Sequence, residues 1–331
     1  MKNIENKTIT NPKEKKAVIL DHFLHRMRKR PSTDEVKEIL KTNEETFKLR
    51  LEMARSIKSP PISLDELEKA LKSLKKGKSR DPESLVNEIF KEENIGTDLK
   101  KSLLMMFNRM KQELVIPESL RTAHITMLHK KDNKLDLRNW RGIFVTSVLR
   151  TIFMKILHER SYEKVASSMT HSQIGAQRNK SVRDHLYVLN SIISDVLSSV
   201  KKVPIDLTVM DYKQMFDSEE GFIALNALYE AGIQNDIFAL IHESNRENVI
   251  FVKTPNGMTE RGSIQNKIMQ GDVFGPLVSS NMVDRNIGKV ALKQEYFINI
   301  KIKFQFPLLQ WSMTLLVLVF VDFKQIRWQN F

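Results

Sequence analysis

The chain has no cysteine among its 331 residues, which excludes disulfide bonds and thiolate zinc sites. Residues 1–16 are polar and charged without an apolar segment, so we expect no secretory signal and an intracellular protein, nuclear or cytoplasmic. The apolar run near the end is continuous only over residues 315–321. A membrane span needs roughly 20 such residues, so we expect no membrane association.

Apolar residues and positive charge are both plentiful. The hydrophobic fraction of 41% is enough to build a core, so most of the chain should fold. The net charge of +13 and the isoelectric point near 9.6 indicate a polyanionic partner such as nucleic acid. Genomic base bias can also enrich lysine, and a helical interaction protein with incidental charge is therefore an alternative.

Residues 1–75 are interpreted as a helical N-terminal extension. Apolar residues recur at helical spacing over residues 17–30, and the segment from Pro31 to Asp34 ends that helix and caps a second one over residues 35–48. Ser63 opens a third helix, with Glu66 as its capping-box partner.

A carboxylate stands at the end of one candidate strand. Residues 203–211 alternate branched and polar side chains, end at Asp211, and precede a helix-like run over residues 219–231. Asp211 could bind a metal ion at the strand end. A lone aspartate could equally cap the next element.

Basic side chains follow another candidate strand. Residues 123–128 read as a strand that leads into Lys130 and Lys131, and Arg141 follows after a short polar loop. Lysine supplies a point charge and arginine a planar fork, which together suit a triphosphate with its metal ion. An exposed basic hairpin without a ligand is the alternative.

Four motifs in order resemble those of reverse transcriptases of non-long-terminal-repeat retrotransposons. A Lys-Gly-Lys and Asp-Pro segment over residues 76–82 precedes them. The motifs are the basic hairpin, the Gln-x-Gly segment from Gln173, the Asp-Tyr-Lys-Gln-Met-Phe-Asp segment from Asp211, and Gln270-Gly271-Asp272. The sequence departs from the family at Gly142, Ala176 and Gly275, where proline, an aromatic residue and serine are usual.

The resemblance implies a role for each matching residue. Asp211 would be the catalytic aspartate that binds two Mg²⁺ ions. Phe216 would exclude a 2′-hydroxyl from the sugar pocket. The remaining implied contacts are Lys130, Lys131 and Arg141 to the triphosphate, Gln270 and Gly271 to the incoming nucleotide, and Gln173, Gly175 and Arg178 to the template. The implied partners are an RNA template, a DNA primer and deoxynucleoside triphosphates.

The resemblance also implies an α+β fold of the right-hand polymerase type, with fingers and a partial palm. On this basis residues 76–200 form a fingers-like region, residues 201–294 a partial palm, and residues 295–331 a tail. The family's palm needs two adjacent aspartates after the Gln270 motif, and this chain has no such pair.

The tail is interpreted as out of frame. The last base of the Met313 codon and the first two of the Thr314 codon spell aspartate, and the shifted reading gives the hydrophobic-hydrophobic-Asp-Asp pattern that is missing. A frameshift between residues 293 and 310 follows, although a buried strand with Asp322 as a lone carboxylate is the other possibility. One carboxylate cannot hold two Mg²⁺ ions, so we expect an inactive reverse transcriptase or a non-catalytic, basic nucleic-acid-binding remnant.

Overall fold

The computed structural model of the chain describes residues 9–28, 33–130, 132–198, 205–211, 220–265, 267–269, 271–291, 298–305 and 312–321. The chain divides into two compact units. Unit 1 consists of Met1–Lys164 and Phe216–Gly275, and unit 2 of Val165–Met215 and Pro276–Phe331. These units do not follow the four segments inferred from the sequence, and that division stays a prediction.

The structure mixes helices and strands throughout. Its α-helices are α1 (Pro12–Met27), α2 (Asp34–Ser56), α3 (Leu64–Lys72), α4 (Thr97–Glu113), α5 (Val148–Ser168), α6 (Val182–Ser198), α7 (Gly221–Glu230), α8 (Asp236–Asn245) and α9 (Gly275–Ala291). Its strands are β1 (Thr122–His129), β2 (Trp140–Thr146), β3 (Ile205–Asp211), β4 (Glu247–Thr254), β5 (Gly257–Met258), β6 (Gly262–Gln265), β7 (Ile298–Gln305) and β8 (Ser312–Val321). The expected combination of helix and sheet is therefore confirmed, while the assignment to fingers and palm stays a prediction.

Unit 1 is built on a mixed sheet. β1 and β2 form the expected antiparallel hairpin, and β1 also pairs in parallel with β4. The other side of β4 pairs antiparallel with both β5 and β6. A turn around Asn256 joins β4 to β5.

Helix α1 covers one face of this sheet. Asn11 caps the helix by accepting a hydrogen bond from the Lys13 backbone N–H at 2.9 Å. The apolar face of α1 packs on side chains of β1, β2, β4 and β6. Gly142 makes the close approach possible, because a Cβ there would lie 2.7 Å from Phe23 Cε1 and 2.8 Å from Ile125 Cγ2. This packing explains locally why a residue without a side chain suits position 142.

Helix α2 packs on α7 and α8. Phe47 contacts the rings of Phe238 and His242, with centroid separations of 5.9 and 5.1 Å. Arg50 donates to the Glu230 carboxylate at 3.1 Å and stacks over the Tyr229 ring. The second half of α2 therefore has a tertiary role, and the helix extends beyond the predicted end at residue 48 to Ser56.

Helices α3 and α4 complete unit 1. The capping box predicted at Ser63 and Glu66 is confirmed, with both hydrogen bonds present. Lys111 of α4 forms a buried ion pair with Asp236 at the start of α8, at 2.6 Å. Such a pair fixes the two helices in position, since either charge alone would be buried without compensation.

Unit 2 contains a three-stranded antiparallel sheet in the order β3-β8-β7, and α6 lies against β7. β3 ends at the residue expected from the sequence, Asp211. The apolar run near the C-terminal end supplies β8. Among the helices that the structure describes, none combines the length and the apolar character that crossing a membrane requires.

Candidate nucleic-acid interface

The β1–β2 hairpin brings two predicted triphosphate-binding residues to the same end. Arg141 lies opposite Leu128 in the ladder, and the Lys130 backbone N–H donates to the Asn139 carbonyl at 2.8 Å. Lys130 is exposed and Arg141 is half-buried. Lys131 lies outside the described residues. Triphosphate binding at this end stays a prediction.

The loop that closes the hairpin is held by its own side chains. Trp140 donates its indole N–H to the Lys134 carbonyl at 2.9 Å, and Arg138 binds Asp136 through a contact of 2.7 Å. Hydrogen bonds from Arg138 lower the pKa of Asp136, because they stabilise its charged form. The Asp136 carboxylate is therefore paired with Arg138.

The Gly271-Asp272 turn lies directly on β2. Gly271 has a φ of +100°, and a Cβ at this position would lie 3.2 Å from the Phe144 carbonyl oxygen. Asp272 is buried and accepts from the Phe274 backbone N–H at 2.9 Å. Gln270 lies outside the described residues. The turn thus reaches the same strand that carries Arg141.

Arg150 anchors this turn, and the sequence interpretation missed it. Its side chain is 2% exposed and forms an ion pair with Asp272 at 2.7 Å. Its guanidinium also donates to the side-chain oxygens of Asn245 and Asn248, at 3.2 and 3.1 Å. The available signal was an arginine in the first turn of a largely apolar helix, where burial requires a charged partner.

Asp81 of the Asp-Pro segment caps α5, a role that the sequence did not indicate. Its Oδ2 accepts from the Val148 backbone N–H at 3.0 Å. Its Oδ1 accepts from the backbone N–H groups of Glu83 and Leu85, at 2.9 and 2.8 Å. Asp81 therefore joins the Asp-Pro segment to the helix that carries Arg150.

The Gln173 segment belongs to unit 2 and folds against α9. Gln173 is fully buried, donates to the Ser280 carbonyl at 2.8 Å, and accepts from the Gly175 N–H at 2.9 Å. A Cβ on Gly175 would lie 2.8 Å from Ser280 Oγ. These two residues hold the loop in place, whereas Arg178 is exposed. Template binding by all three stays a prediction.

Asp211 ends β3 opposite Leu315 of β8. The ten residues of β8 include no aspartate or glutamate. Within the described part of the chain, no group of three or more histidine, aspartate or glutamate side chains could hold a metal ion. The described residues therefore do not supply the donor set of a two-metal site. Phe216 and Asp322 lie outside them.

A separate cavity of about 820 Å³ lies in unit 1 beside α1, α2 and β6. Its cations are matched by acids, since Arg28 pairs with Asp21 at 2.9 Å and Lys48 with Glu44 at 3.1 Å. His242 lines the same cavity, and burial lowers its pKa to about 4. These two cations of the lining are therefore paired with acids.

Comparisons with known proteins find a similar transposon sequence and, among the solved structures, a weak similarity to a telomerase. No protein-family model matches the chain. The chain is 25% identical over 174 residues to an uncharacterised 149 kDa protein of transposon TX1 from Xenopus laevis. That stretch covers 52% of this chain and 12% of the transposon protein. Apo telomerase from Candida tropicalis, truncated from its C-terminal domain, aligns over 62% of this chain and 44% of its own, with 12% identity and a TM-score of 0.37.

Proposed function

We propose that this chain is a reverse-transcriptase-like domain from a retrotransposon protein, descended from an RNA-directed DNA polymerase and catalytically inactive as it stands. The similarity to a transposon protein over about half the chain supports the origin. The order of the four motifs supports the polymerase ancestry. The matched stretch is 12% of the transposon protein, so the activity, substrates and partners of that whole protein are not inferred from it.

Contacts within unit 1 support a common scaffold for two of the four motifs, the basic hairpin and the Gly271-Asp272 turn. Asp81 caps α5, Arg150 of α5 pairs with Asp272, and Gly271 packs on the Phe144 carbonyl. This arrangement would let the hairpin end with Lys130 and Arg141 receive the triphosphate of a deoxynucleotide. Preorganised cations of this kind are the usual way to bind a transferring phosphoryl group.

The pairing of Asp211 with Leu315 carries the proposal of inactivity. In such a site, a bound pair of Mg²⁺ ions would supply activation of the primer hydroxyl and charge stabilisation of the leaving pyrophosphate. They need more than one carboxylate, and the strand beside Asp211 offers none. The domain would then be a pseudoenzyme that retains a nucleic-acid-binding surface.

Primer extension tests this proposal. We expect no DNA synthesis from an RNA template and DNA primer in the presence of Mg²⁺ and deoxynucleotides. We also expect salt-sensitive binding of the primer-template, unchanged by Asp211→Asn. Magnesium-dependent synthesis that Asp211→Ala abolishes would contradict the inactivity.

The second candidate function is a basic remnant that binds nucleic acid without a nucleotide site. The net charge of +13 favours it. Triphosphate binding that Lys130→Gln and Arg141→Gln weaken would favour the reverse-transcriptase-like domain. Primer-template binding without triphosphate binding would favour the remnant, and no binding at low salt would favour a helical interaction protein.

A further inference from the structure

Helix α6 exposes an aromatic side chain together with its two apolar neighbours in sequence. Tyr187 is 74% exposed, and its neighbours Leu186 and Val188 are 41% and 44% exposed. Among the described residues, the Tyr187 hydroxyl makes no hydrogen bond. A tyrosine that is largely exposed and whose hydroxyl has no partner among the described residues is available to a ligand.

The loop before α6 brings positive charge to the same helix. Lys180 and Arg183 are exposed, and neither has a carboxylate partner among the described residues. The nearby acid, Asp184, accepts the Ser181 backbone N–H at 3.2 Å. Arg183 and Tyr187 are four residues apart, so their side chains are neighbours on one helix face.

The base of this loop is anchored firmly. Thr170 donates its backbone N–H to Asp284 of α9 at 2.9 Å, and Gln173 donates to the Ser280 carbonyl at 2.8 Å. Ala176 and Asn179 adopt positive φ values of 56° and 57°. Because the loop is tied down at its base, its cations are presented in a limited set of positions.

From this combination we propose that Tyr187 stacks on an unpaired base of single-stranded nucleic acid while Lys180 and Arg183 contact its phosphates. The ring face suits any nucleobase, and the two cations attract the backbone without reading sequence. Bases in a duplex are already stacked, so the ligand is a single strand. The inference rests on the proposed function and identifies a residue outside the four motifs that holds the template.

Fluorescence anisotropy with labelled single strands tests the stacking. The probes are an oligoadenylate RNA, the matching oligodeoxyadenylate, and an abasic strand of equal length. Tyr187→Ala should weaken oligoadenylate binding roughly 5- to 150-fold, whereas Tyr187→Trp should bind like the parent chain. Both variants should bind the abasic strand as the parent does. Met105→Ala, at a 75% exposed apolar position on α4, is the matched control and should change nothing.

Salt dependence tests the two cations separately. The double variant Lys180→Gln/Arg183→Gln should reduce the slope of log affinity against log salt by about 1.4, or about 0.7 for each phosphate contact. Lys37→Gln/Lys69→Gln removes two exposed cations that are already paired with Asp34 and Asp65 and should leave the slope unchanged. Tyr187→Ala should also leave it unchanged.

Three results would overturn the inference. Equal oligoadenylate binding by Tyr187→Ala and the parent chain would exclude stacking and leave nucleic-acid binding by the domain intact. A change in self-association without a change in oligonucleotide affinity would identify a protein-contact surface instead. Absence of any binding by the parent chain at low salt would overturn both this inference and the proposed function.

Discussion

The buried ion pair between Arg150 and Asp272 gives a sharp stability prediction. The two side chains are 2% and 1% exposed and meet at 2.7 Å. Arg150→Met removes this contact and the two hydrogen bonds to Asn245 and Asn248 while keeping an unbranched side chain. The Asp272 carboxylate is then left buried without a counter-charge, which costs about 3–5 kcal/mol. That loss is a large share of a typical folding free energy of about 5–15 kcal/mol.

Urea unfolding measures this loss. The comparison variant is Arg109→Met, because Arg109 forms a 2.8 Å pair with Glu113 whose side chains are 78% and 50% exposed. We expect the exposed pair to contribute little to stability, because solvent screens it. Adding Asp272→Asn to Arg150→Met should recover part of the loss, because asparagine removes the stranded charge and can still accept from the Phe274 N–H. If Arg150→Met costs no more than Arg109→Met, the anchoring role of Arg150 is wrong.

Three further predictions concern unit 1. Gly142→Ala should lower the free energy of unfolding by about 1–3 kcal/mol because the new methyl would lie 2.7 Å from Phe23 Cε1, and Phe23→Leu should recover part of it in thermal unfolding. Burial lowers the pKa of His242 to about 4 from its ordinary value of 6.5. Between these two pH values the histidine is protonated in the unfolded chain and neutral in the folded chain, so stability is lost as the pH falls. The free energy of unfolding should decrease by roughly 3 kcal/mol as the pH is lowered from 6.5 to 4. Urea unfolding should show a smaller decrease for His242→Gln. Asp81→Ala leaves three backbone N–H groups without an acceptor and should destabilise the fold by roughly 2–4 kcal/mol, whereas Glu83→Ala, next to it on the surface, should stay within about 0.5 kcal/mol in the same assay.

Local signals in the sequence predicted local structure well. The capping box at Ser63 depends on residues three apart, and the alternation over residues 123–128 marks the strand that begins the hairpin. Helix α1 begins at Pro12, before the predicted start at residue 17, because Asn11 and Pro12 together form a helix start signal that the apolar periodicity did not include.

Long-range contacts could not be predicted in the same way. Arg150 and Asp272 are separated by 122 residues, and neither one's neighbours indicate the partner. Gln173 was expected at a template surface, yet its amide is buried on α9. A single sequence shows that a polar side chain occurs in a motif, but only the fold determines whether its hydrogen bonds go to the protein or to a ligand.

The parallel pairing of β1 with β4 has a consequence for synthesis of the chain. Thr122 pairs with Val249, a separation of 249 − 122 = 127 residues. At translation rates of about 5–20 residues per second, the ribosome needs roughly 6–25 s to make this interval. During that time one edge of β1 has no strand to pair with, and open edges invite pairing with other chains. Until β4 is made, this edge of β1 is therefore open to pairing with other chains.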